Sequence, residues 1–67
     1  MYQGLVMTIA ARICAEVAIR DVDDYTISFR FKREEGVNEF IDELITYSDF
    51  VAVSRLGLEV LVSFATE

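Results

Sequence analysis

Residues 25–32 alternate without a break. Tyr25, Ile27, Phe29 and Phe31 fall on one side, and Thr26, Ser28, Arg30 and Lys32 on the other. A period of two in aromatic and β-branched residues predicts a strand with one buried face. The period then changes. Val37, Phe40, Ile41, Leu44 and Ile45 recur at i, i+3, i+4, i+7 and i+8, which predicts an amphipathic helix within residues 34–47. Glu34 and Glu35 stand in its first turn, where the helix dipole favours acids, and Gly36 points to a start as late as Val37. Beyond the helix, residues 50–53 and 58–64 read as a hairpin. Its expected turn is Ser54-Arg55-Leu56-Gly57, pairing Val53 with Leu58 and Val51 with Val60.

The first twenty residues carry two periodicities at once. Thr8, Arg12, Glu16 and Arg20 form a polar line at a spacing of four, as on a helix. Every odd position from Leu5 to Ile19 is apolar, as on a strand. Alanines at 10, 11, 15 and 18 favour helix. Antiparallel pairing of residues 13–20 with 26–33 would set Ile19 against Ile27, Val17 against Phe29 and Glu16 against Arg30. The turn would run through Val22-Asp23-Asp24. The expected fold is therefore α+β, a small antiparallel sheet of three to four strands packed on one amphipathic helix. The order β-β-α-β-β is preferred, with α-β-α-β-β as the alternative, and the chain forms a single domain over residues 1–67.

Either order gives the same expected core. The helix stripe covers Val17, Ile19, Ile27, Phe29, Phe31, Val51, Val53, Val60, Val62 and Phe64. The opposite sheet face is left with Thr26, Ser28, Arg30, Arg12 and Glu16 in water. Phe50, Leu61 and Ala65 do not suit water, and they are expected to lie together on the second hairpin, extended by Cys14 and Ala18.

Composition narrows the chemistry. The 67 residues are 54% hydrophobic and 27% charged, so the chain folds, but its core is small enough for a partner to matter. With no histidine, the commonest general base and metal ligand is missing, and nucleophile–histidine triads are impossible. The three glycines are isolated, so no phosphate loop is formed. One cysteine excludes an internal disulfide and a cysteine zinc site, and Cys14 reads as a packing residue. Asp21-Val22-Asp23-Asp24 lacks the glycine and distal glutamate of an EF-hand and reads as a capped turn. These absences predict a protein that is not an enzyme and needs no cofactor or metal.

The net charge is −6. Direct nucleic-acid binding needs basic groups, and Arg30, Lys32 and Arg33 are followed at once by Glu34 and Glu35, so none is expected. Arg12 and Glu16 interrupt the N-terminal apolar run, and no basic stretch precedes it. The expectation is a cytoplasmic protein without a membrane segment. What remains is a protein-binding or self-associating module, an inhibitor or adaptor that docks on a basic partner or on its own copy. Phe50, Leu61 and Ala65 would supply the apolar contact, and Glu35, Glu39, Asp42 and Glu43 the charge. A small regulatory domain binding a metabolite at a subunit interface is the alternative.

Overall fold

Six elements alternate along the chain in a computed structural model that describes residues 3–47 and 49–64. Helix α1 spans Gln3–Ile13, strands β1 and β2 span Ala18–Asp23 and Thr26–Arg30, helix α2 spans Glu34–Ile45, and strands β3 and β4 span Val51–Leu56 and Glu59–Phe64. The fold is α+β, with a four-stranded antiparallel sheet in the order β1-β2-β4-β3. Two hairpins thus lie side by side, joined through their second strands.

The element order is α-β-β-α-β-β, which corrects both expected orders. The N-terminal segment is neither all strand nor all helix. It is a helix to Ile13, a turn through Cys14, and a strand from Ala18. Helix α1 buries Val6, Ile9 and Ala10, an i, i+3, i+4 set, and leaves Leu5 and Met7 exposed. The run of apolar odd positions therefore belongs to two different elements. A second helix also corrects the expectation that one helix covers the sheet.

Both hairpin registers differ from the expected ones, and both differ by an even shift. Ile19 faces Phe29 rather than Ile27, and Val53 faces Val62 rather than Leu58. An even shift keeps each side chain on its own face. The buried face is accordingly close to the expected one: Ile27, Phe29, Phe31, Val51, Val60 and Val62 are buried, with Val17, Val53 and Phe64 packed at the margin. Ile19 is the exception, 38% exposed on the edge strand.

The second hairpin closes through two residues, Gly57 and Leu58, between the paired Leu56 and Glu59. Gly57 has φ +63° and Leu58 does not have a positive φ, the pattern of a type II′ turn with glycine at its first central position. The first hairpin turns at Asp24-Tyr25, one residue later than expected. There the Asp23 carboxylate accepts the Tyr25 N–H at 2.8 Å.

Helix α2 begins at Glu34, not at Val37, and buries Val37, Phe40 and Leu44 on the sheet. The Phe40 ring lies between Phe29 and Phe31, with centroids 5.0 and 5.1 Å away and both pairs tilted. Ile41 is partly buried. Ile45 completes the apolar stripe in sequence but is 62% exposed. The helices meet where Ile13 approaches Gly36, and Arg12 reaches Glu43 across them at 2.8 Å. No helix among the described residues is long and apolar enough to cross a membrane.

Candidate functional site

Both helices lie on the face of the sheet that carries Phe29 and Val60, so among the described residues no layer covers the other face. Its residues are mostly small: Ala18, Thr26, Ser28, Ala52, Ser54 and Ser63, with Arg20, Arg30, Leu56, Glu59 and Leu61 among them. The hydroxyls of β2 and β4 are paired across the strands. Thr26 and Ser63 hydroxyls share a hydrogen bond of 3.1 Å across β2 and β4. The Ser28 hydroxyl donates to Glu59, whose carboxylate also lies 4.0 Å from Arg20. Ser28 is 3% exposed beneath these longer neighbours. No buried side-chain polar atom among the described residues lacks a partner.

The expected apolar patch is spread out. Leu61 is half-buried on the open face, opposite Ser28 on one side and Ser54 on the other. Phe50 is 42% exposed, one residue before β3 and four residues along the chain from Ser54. At about 3.3 Å per residue that is roughly 13 Å of strand, so these two side chains do not form one contact. Ala65 lies outside the described residues. Cys14 is not on this face; it is half-buried beside the core at the end of α1.

The acids of α2 do not act together either. Glu43 is paired with Arg12. Glu34 pairs with Arg55 at 3.1 Å. Glu35 and Glu39 line a cleft of about 470 Å³ between the end of α1 and the start of α2, together with Cys14, Glu16, Lys32 and Arg33. Asp42 is exposed. Acids and bases are interleaved in that cleft, and no group of three or more potential metal ligands forms among the described residues.

The two edges of the sheet differ, a contrast that sequence periodicity does not reveal. Edge strand β1 carries Arg20, Asp21 and Asp23, all exposed, and its ladder is irregular between Asp21 and Asp23. Charges and bulges are the usual means of blocking an edge. Edge strand β3 reads Val-Ala-Val-Ser-Arg-Leu and pairs with β4 without a break. Its one charge, Arg55, turns back onto the protein: Nη1 donates to Asn38 at 2.9 Å, Nη2 to Glu34 at 3.1 Å and Nε to the Gly57 carbonyl at 3.1 Å. The signal is present in the strand's single charge, but an edge position cannot be assigned before the strand order is known.

Comparison of the chain with family models, with curated proteins and with solved structures returned no match.

Proposed function

We propose that this protein is a non-catalytic protein-binding module that assembles with copies of itself through sheet surface its own helices leave uncovered. The observation that carries the reading is the one-sided layering. Two helices cover one face of the sheet, while the other face and the β3 edge, whose one charge is held by α2, have no cover from within the described residues. The size of the chain points the same way. For 67 residues the expected stability is on the order of 3–10 kcal/mol, so added burial in an assembly is a large fractional gain. The absence of histidine and the interleaved charges of the cleft favour binding over catalysis.

Absolute mass by light scattering, followed over a range of protein concentrations, tests this. Mass rising towards that of a dimer or higher assembly is the expected result. A constant monomer mass up to millimolar concentration removes self-association and leaves binding to a different protein.

The alternative is a small regulatory domain that binds a metabolite. Its support is the cleft between α1 and α2, where Lys32 and Arg33 stand beside the apolar Ile13 and Phe31. A thermal-shift screen of amino acids and nucleotides tests it. No shift, with the cleft variant Lys32→Glu behaving as the parent, counts against it.

A further inference from the structure

Resting on the self-association reading, we infer that the surface used is the β3 edge flanked by helix α2, and that its occupant is β3 of a second copy, paired antiparallel about Val53.

The backbone sets the register. In a two-residue hairpin the closing pair, here Leu56 and Glu59, shares its hydrogen bonds, and the pattern alternates along an antiparallel ladder. Leu56, Ser54 and Ala52 therefore direct their backbone groups to β4, and Arg55, Val53 and Val51 direct theirs outward. The Val51 N–H agrees with this assignment, because it goes to the Tyr47 carbonyl at 3.1 Å and not to β4. That leaves the outward N–H groups of Val53 and Arg55 and the outward carbonyls of Val51, Val53 and Arg55, of which the Arg55 carbonyl stays in water because the Val51 N–H that would face it is already used.

These groups complement themselves. With Val53 on a two-fold axis, its N–H meets the carbonyl of Val53 in the second copy, and the reverse. The Arg55 N–H meets the Val51 carbonyl of the second copy at each end. On the open face Ala52 falls opposite Ser54. No charge opposes a like charge within the strand pair, because Arg55 stands opposite Val51.

The side chains agree with the backbone. Asn38 and Glu34 touch Arg55, so the first half of α2 lies along the end of β3, and the flank carrying Asn38 also carries Ile41 and Ile45. Ile45 belongs to the apolar stripe but is 62% exposed; Ile41 and Val53 are half-covered. The two-fold axis sets the α2 helices of both copies on the same side of an extended sheet, and these three residues then face their counterparts. The open face competes less well, since a second copy on it would have to cover the charges of Arg20, Arg30 and Glu59, and the hydroxyls of Thr26, Ser28 and Ser63 are already paired.

Charge argues for a second copy over a basic partner. The Glu34 carboxylate beside β3 is already held by Arg55, and the strand has no acid. A basic segment would be drawn elsewhere, towards Glu39. Two copies, each of net charge −6, repel at long range, so they meet best where an acid is offset, as Glu34 is by Arg55, and added salt strengthens the pairing. A handful of residues per copy is well below the roughly 20–30 of a standard interface, so the dimer is weak and depends on concentration.

Sedimentation equilibrium of the full chain from micromolar to millimolar concentration, at low and high salt, tests the inference. The expected result is a monomer–dimer equilibrium that tightens with salt. Ile45→Lys, at an exposed site, should weaken it by about tenfold or more. Val53→Pro removes an outward N–H that β4 does not use, and should do the same. Leu61→Lys on the open face should change the dissociation constant by less than about twofold. If Val53→Pro does not fold, as judged by circular dichroism, Ile45→Lys decides alone. A dimer that resists Ile45→Lys, or that Leu61→Lys dissociates, overturns the β3 pairing and leaves self-association standing. A monomer at every concentration overturns both.

Discussion

Gly36 lies against the ring of Phe31: a β-carbon at position 36 would stand 3.2 Å from Phe31 Cδ2 and 3.8 Å from Ile13 Cγ2. Three elements meet at this point, the end of α1, the segment after β2 and the first turn of α2. The glycine therefore does not mark a late helix start. It lets an α2 that begins at Glu34 approach its neighbours closely.

Gly36→Ala accordingly sets two effects against each other. Alanine raises helix propensity by about 1 kcal/mol. The added methyl must displace a ring that is 2% exposed and held in a tilted contact with Phe40 at 5.1 Å. Overpacking of this kind costs about 1–3 kcal/mol. The expected net effect is a loss of about 1 kcal/mol. Urea denaturation monitored by circular dichroism measures it, and a higher midpoint for the variant would show that Phe31 gives way freely.

Phe40 is fully buried between Phe29 and Phe31 and joins α2 to β2. Phe40→Ala should cost about 3–5 kcal/mol, comparable to the whole stability of so small a chain. The variant is expected to be largely unfolded at room temperature by near-UV circular dichroism and amide dispersion. Phe40→Leu, which keeps most of the volume, should remain folded with a lower melting temperature.

The faces of this fold were legible in the sequence, and the registers were not, for one physical reason. A period of two assigns a side chain to a face, and any even slip preserves that assignment. Ile27, Phe29, Val60 and Val62 are buried as their alternation predicts, although Ile19 and Val53 face different partners from those expected. The N-terminal third misled because a spacing of four is close to one helical turn and also a multiple of the strand period. Arg12 and Arg20 look like one polar line, but one sits on α1 and pairs with Glu43, while the other sits on β1 near Glu59. The contrast between the two edges needed the strand order β1-β2-β4-β3, which rests on long-range pairing of β2 with β4 and leaves no local trace in the chain.

Gly57 illustrates the same limit on a smaller scale. Placed last in a four-residue turn, it gives one register; placed first in a two-residue turn at φ +63°, it gives the observed one. An L residue at that φ is strained by about 1–2 kcal/mol. Nothing crowds the position, since a β-carbon there would meet no atom within 4 Å beyond its chain neighbours, so the cost is in the backbone alone. Gly57→Ala should therefore lower stability by about 1–2 kcal/mol, with Gly57→Asn losing less. Thermal unfolding of the two variants side by side gives the order. Equal losses would point to a steric cause in place of the backbone one.

Arg55 joins the first half of α2 to the β3–β4 turn with three donors: Nη1 to Asn38, Nη2 to Glu34 and Nε to the Gly57 carbonyl. Its side chain is 34% exposed, whereas that of Glu34 is 73% exposed, so the ion pair alone contributes little in water. The fork geometry matters more, because a lysine keeps the charge but cannot reach three acceptors from a fixed plane. Arg55→Lys should lower stability by about 1 kcal/mol, and Glu34→Gln by about 0.5 kcal/mol or less. High salt should shrink the Glu34→Gln effect and leave most of the Arg55→Lys effect. Urea midpoints at low and high ionic strength separate the two. If salt abolished both effects equally, charge would be the cause and the hydrogen-bonded fork would have no role in holding α2 to the hairpin.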